Sequence, residues 1–159
     1  MRRRKISGKY LSVSAPPSYE SSSVAVHDFA TAIKNFADEY LRGAATVDII
    51  GESSGFAKVS VGSTAYLLRT LLEYAEEDET LVIKISLTGE MTISVSPRSL
   101  PDDEIVARII AIANAAGFSV ARDCYTLLFS AAIDGAEIVK IYALSKDDIF
   151  NTLFEVLFL

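Results

Sequence analysis

The sequence predicts an α+β fold: a two-layer sandwich with helices on one face of a mostly antiparallel mixed sheet. Three observations predict it. Segments with an apolar residue every three or four positions are interleaved with short β-branched runs of strand type. Tight-turn signals, Thr88-Gly89-Glu90 and Asp134-Gly135, join several of those runs. At 159 residues, half of them apolar, the chain is long enough for one domain with one core and short for two.

The elements follow in order. Residues 1–23 read as a disordered basic and Ser/Pro-rich tail, because Pro16-Pro17 and repeated serines oppose both helix and central strand. A first helix is expected over 24–42, where Val26, Phe29, Ile33, Phe36 and Tyr40 recur at helical spacing, with Ser23 as N-cap and Gly43 as stop. Strands are expected at 46–50 and 57–61 around the loop Gly51-Glu52-Ser53-Ser54-Gly55. Gly62-Ser63 caps a helix over 64–76 whose Leu67, Leu68, Leu71, Leu72 and Ala75 form a wide apolar stripe.

A hairpin over 81–87 and 91–96 closes at Pro97. A third helix starts at Ser99 with Pro101 in its first turn; Asp102, Asp103 and Glu104 favour the positive end of its dipole, and Gly117 ends it. Strands are expected at 118–122, 124–132 and 137–143. Ser145-Lys146-Asp147-Asp148 then caps a final helix rich in Ile, Leu, Val and Phe, which must be buried against its own sheet or a second copy. The chain thus divides into the tail 1–23, a domain over 24–144, and a C-terminal apolar helix over 145–159 that serves docking or dimerisation, with Phe150, Leu153, Phe154 and Leu157 as its contact residues.

Composition excludes several functions. No apolar run approaches the ~20 residues of a membrane-spanning helix, and the polar stretch after Met1-Arg2-Arg3-Arg4-Lys5 is unlike an export signal, so a cytoplasmic location is expected. Cys124 is the single cysteine and His27 the single histidine, which rules out an internal disulfide and a Cys/His zinc site. Net charge is −6, yet the first nine residues carry five cations and no acid, leaving 10 basic residues against 21 acidic ones in the remainder. Such an acidic body disfavours nucleic acid, whose affinity rests on phosphate neutralisation by Lys and Arg. The partner expected is a protein, either another chain or a second copy.

The order helix, two strands, helix, hairpin, helix, strand pair resembles the GHKL-type ATPase module of sensor histidine kinases over residues 24–143. Leu68-Arg69-Thr70-Leu71-Leu72-Glu73-Tyr74-Ala75 is similar to that family's N-box helix, and His27-Asp28-Phe29-Ala30-Thr31-Ala32-Ile33 to its phosphoacceptor segment. The resemblance implies a Bergerat-type fold and places the nucleotide beside the N-box helix. Where it implies Asn residues, this chain has Thr70 and, at the Mg²⁺-holding position, Tyr74, a phenol that substitutes poorly for a compact oxygen donor. The family's adenine-binding Asp falls near Ser96, and its phosphate-approaching Gly pair is replaced by Pro101-Asp102-Asp103-Glu104.

Three carboxylates at a helix start repel a triphosphate. All eight glycines are isolated, so neither Gly-x-Gly nor a P-loop occurs. No bound nucleotide, other cofactor or metal is expected. The sequence therefore reads as a catalytically degenerate histidine-kinase-like domain acting as an interaction or regulatory module in bacterial-type signal transduction. Two alternatives stand beside it. One is a divergent phosphorelay component in which His27, expected on a solvent face with Thr31, Lys34 and Asp38, accepts phosphate; the other is an unrelated α+β interaction domain. Cys124 reads as a small buried apolar residue of a strand rather than a nucleophile, and the acid groups 76–78 and 102–104 as helix-terminal solvation.

Overall fold

The computed structural model describes residues 20–97, 102–135 and 143–158. Element by element, apolar period sets each helix and a partner strand sets each edge. Strand β1 (Ser22–Ala25) leads directly into helix α1 (Val26–Tyr40) and pairs antiparallel with β3 (Phe56–Val59). From sequence, Ser22 and Ser23 are expected in the tail and the helix is expected to begin at Val24. That is corrected here: Ser22 and Ser23 sit opposite Val59 and Lys58, and the helix N-cap is Ala25, without a side-chain cap. Residues 1–19 of the expected tail lie outside the described residues.

Strand β2 (Ala45–Ile50) and helix α2 (Val61–Tyr74) come next. The expected Gly62-Ser63 cap of α2 is also corrected: Ser60 is the N-cap, its Oγ accepting from the Ser63 amide at 3.0 Å, and Gly62 and Ser63 are already helical. The hairpin strands are β4 (Leu81–Ser86) and β5 (Glu90–Ser96), turned by Gly89 at φ +81°. Helix α3 (Asp103–Ala116) is capped by Asp102, whose Oδ1 accepts from the Ile105 amide at 3.0 Å. The expected start at Ser99 is thereby moved to Asp102; Ser99 and Pro101 lie outside the described residues. Gly117 at φ +103° ends α3, and the Phe118 amide returns to the Ala113 carbonyl, a closure that needs the left-handed backbone glycine supplies.

Strands β6 (Ser119–Asp123) and β7 (Thr126–Ala132) form a hairpin around Cys124-Tyr125. Cys124 is exposed at φ +54° in that turn, not buried in a strand. The reason is register: Asp123 and Thr126 face each other, so only two residues remain to reverse the chain. The strand expected over 137–143 falls almost entirely outside the described residues. On its near side Asp134 bridges Phe56, and beyond it Leu144 bridges Val24, tying both ends of that span to the β1–β3 pair.

The main sheet has the order β2-β4-β5-β7-β6, with one parallel pair, β2 and β4, and antiparallel pairing elsewhere. Parallel neighbours need a crossover, and the segment carrying β3 and α2 supplies it. One face of the sheet presents Val47, Ile83, Ile85, Ile93, Val95, Leu127 and Phe129 to the helix layer, while Thr46, Lys84, Ser94 and Ser130 occupy alternate, more open positions. Helix α4 (Lys146–Phe158) completes the layer against α1 and α2, burying Ile149, Leu153 and Leu157 within the same chain. The expected cap at Ser145-Lys146-Asp147-Asp148 is reciprocal: Ser145 Oγ accepts from the Asp148 amide at 3.1 Å and Asp148 Oδ2 from the Ser145 amide at 3.4 Å.

Candidate functional site

The position at which the sequence would place a nucleotide is the exit of α2. Thr70, where the resemblance implies Asn, is fully buried, and its hydroxyl donates to the Tyr66 carbonyl one turn back at 2.9 Å. Its polar capacity is spent inside its own helix. Tyr74 lies at the rim, 38% exposed. Beneath it is a cavity of about 60 Å³ floored by Leu71, Leu81, Ile109 and Leu127 and edged by Glu76, Glu79 and Pro97. Sites for drug-sized ligands occupy roughly 300–1,000 Å³, so the described walls leave room for a few atoms.

Glu79 carries no local signal that singles it out from its acidic neighbours. It is buried, and its Oε1 accepts from the Glu76 amide at 3.0 Å while its own amide donates to the Glu76 carbonyl at 3.0 Å, closing the turn after α2. A buried carboxylate needs such donors. Helix packing then gathers more negative charge. The Ser60 amide at the start of α2 donates to the Ala116 carbonyl at the end of α3, so the two packed helices run in opposite directions. The exposed Asp102, Asp103 and Glu104 at the start of α3 therefore lie toward the α2 exit, with Glu76, Glu77 and Asp78. Two acid groups that look separate in sequence converge on one end of the layer.

Ser96, where the adenine-binding Asp is implied, is exposed and its Oγ shares a hydrogen bond with Thr126 Oγ1 at 3.1 Å. A hydroxyl pair of this kind lacks the carboxylate's fixed acceptor character. Among the described residues no group of three or more His, Cys, Asp or Glu side chains is placed to hold a metal ion.

His27 is the second residue of α1 and is exposed, bordering a shallow surface recess with Glu52, Ser53 and Ser54. On the same helix Lys34 pairs with Asp38 at 3.5 Å and donates to the Val47 carbonyl at 3.1 Å. After Leu41 the chain turns straight into β2, so no second helix follows α1 to make a hairpin. The segment is thus built into the sandwich. Cys124 and Tyr125, the latter 60% exposed, sit at the β6–β7 turn, directly before Thr126, the hydrogen-bond partner of Ser96, and Leu127 of the cavity floor.

Of the four contact residues expected on α4, Leu153 and Leu157 are buried inside this chain, whereas Phe150 and Phe154 are half-buried. Those two rings pack with Phe36, Tyr40 and Phe158 at centroid separations of 5.2–6.0 Å, mostly tilted or edge-on. Tyr40, 39% exposed, is the most open member.

Several solved histidine kinases are similar to the chain. The chain is similar to Acinetobacter baumannii histidine kinase AdeS, at 11% identity and a TM-score of 0.43, over 76% of this chain and 70% of that one. It is similar to the cytoplasmic segment of histidine kinase QseC, at 14% identity and 0.44, over 72% and 74%. With the catalytic domain of histidine kinase ThkA the values are 12% and 0.45, over 73% and 97%. No protein-family model matches the sequence, and no curated protein matches it. No helix among the described residues is long and apolar enough to cross a membrane.

Proposed function

We propose that this chain is a histidine-kinase-like domain that has lost nucleotide chemistry and acts as a protein-interaction or regulatory module in bacterial-type signal transduction, in the cytoplasm. The observation that carries the reading is the α2 exit. There a cavity of about 60 Å³ lies under Tyr74, edged by the carboxylates Glu76 and Glu79 of the turn after α2. A triphosphate with its Mg²⁺ needs donors, cations and room; the described residues at that end offer a phenol, apolar side chains and negative charge.

The same reading leaves α4 as the contact element. Leu153 and Leu157 hold it to its own layer, which frees Phe150 and Phe154 at its margin to meet a partner chain. His27 has the exposure a phosphoacceptor requires, but among the described residues no helix follows α1 to form the hairpin that presents such a residue to a kinase.

The test is thermal unfolding with Mg²⁺ and a non-hydrolysable ATP analogue. A ligand that binds only the folded state raises the midpoint with concentration. No rise is expected up to millimolar analogue, and a saturable rise of several degrees contradicts the proposal. Acid-labile phosphate that vanishes in His27→Gln transfers the assignment to a phosphorelay component.

A further inference from the structure

The seam between α1 and α4 has a composition that the core does not require. Its floor is aromatic: Phe36 beneath, then Tyr40, Phe150, Phe154 and Phe158, five rings in mutual contact. A stripe at i, i+4 and i+8 on α4 puts the three Phe side chains on one line. Ile149, Leu153 and Leu157, one position earlier in each turn, already satisfy the core, and they are buried while the Phe stripe is left half open.

The borders of the seam are acidic on both sides. At ~100° per residue, Asp147, Asn151 and Glu155 follow the Phe stripe round α4 on the side away from Leu153; all three are exposed. On α1 the positions bordering Phe36 and Tyr40 on the flank away from β2 are Asp28, Asn35 and Glu39, the last two exposed. Among the described residues no Lys or Arg stands along either border; Lys146, one turn before Phe150, and Arg42, which donates to the Asp38 carbonyl just past α1, stand at the ends of the seam. Lys34, the cation nearest in sequence to Phe36, reaches toward β2, where it donates to the Val47 carbonyl.

We infer that the α1–α4 seam is a docking surface for a basic amphipathic helix of a partner protein, whose apolar face covers the aromatic floor while its Lys and Arg residues meet the two acidic borders. Aromatic floors with charged rims match the anatomy of protein contact surfaces. Charge complementarity selects the occupant. A second copy presenting the same seam sets acidic borders against acidic borders, Glu39, Asp147 and Glu155 of each chain among them, a like-charge juxtaposition that disfavours it. This inference rests on the interaction-module reading and gives that module its surface and the chemistry of its partner.

The probe is a fluorescein-labelled helical peptide with Leu on one face and Lys on the other, titrated against the full chain and read by anisotropy, alongside a counterpart with Glu for every Lys. The expected result is saturable binding of the Lys peptide, weakened by salt, with no binding of the Glu peptide. In the double variant Glu39→Lys/Glu155→Lys affinity drops about tenfold or more. In Asp48→Lys/Asp123→Lys, which changes net charge equally on exposed residues of the sheet, it changes by less than about threefold. Equal losses in the two variants overturn the inference, since they mean attraction to net charge alone. So does an unaffected Glu39→Lys/Glu155→Lys variant, or sedimentation showing that the unliganded chain self-associates through this seam. None of these outcomes depends on nucleotide, so the loss of ATP binding is judged separately by thermal unfolding.

Discussion

The exit of α2 and the seam between α1 and α4 are both rims of one helix layer, yet they have been filled in opposite ways. At the α2 exit the described apolar side chains nearly close the space, and Glu76 and Glu79 of the following turn edge what is left. At the seam the core is completed by Ile149, Leu153 and Leu157, and an extra line of Phe residues is laid outside it. The first arrangement removes the donors and volume a phosphate ligand needs. The second leaves aromatic side chains packed against the core but partly open at its margin. Under the proposed function, the first rim is a small-molecule site that has been lost and the second a protein surface that serves in its place.

Substitutions can break or sharpen this contrast. The largest effect is expected for Leu153→Ala, which empties a position 1% exposed and costs ~2–5 kcal/mol, measured by urea unfolding. A loss under about 1 kcal/mol means that α4 is not anchored through its Leu face, and the division between anchor and seam collapses. Next comes Asp102→Ala, expected to cost ~1 kcal/mol through loss of the α3 cap, again by urea unfolding. It is expected to leave nucleotide binding absent even though one carboxylate is gone.

Tyr74→Ala should change stability by no more than about 0.5–1 kcal/mol, because the side chain lies at a rim and is 38% exposed. A larger cost assigns Tyr74 to the core rather than to a pared-down site. The smallest effect has the opposite sign. Cys124→Gly is expected to stabilise by up to ~1 kcal/mol, since φ +54° is strained for a side chain and free for glycine; a fall in the thermal midpoint removes that account of the turn.

How much of this was legible in sequence depended on whether the cause was local. The reciprocal cap at Ser145 and Asp148, the Gly117 stop and the Gly89 hairpin are written in neighbouring residues, and each was readable from them. Strand β1 was not, because Val24 and Val26 extend the helical period of α1 and its partner strand lies more than thirty residues downstream. Cys124-Tyr125 reads as strand by composition, and only the pairing of Asp123 with Thr126 makes it a turn. At the candidate site the substitutions Thr70 and Tyr74 were visible one by one. The gathering of acids was not, since it arises from the opposed directions of α2 and α3, and the buried role of Glu79 arises from a turn geometry that its neighbours do not announce.

The central claim is that ligand recognition has moved from the α2 exit to the α1–α4 seam. Amide chemical-shift mapping on the isotopically labelled full chain tests it most directly, with Mg²⁺ and a non-hydrolysable ATP analogue in one titration and the Lys-faced peptide in another. The account predicts no saturable change at Leu71, Tyr74 or Ile109 with nucleotide, and saturable changes centred on Tyr40, Phe150 and Phe154 with peptide. Saturable nucleotide shifts around Tyr74, together with a seam that does not respond to peptide, contradict it.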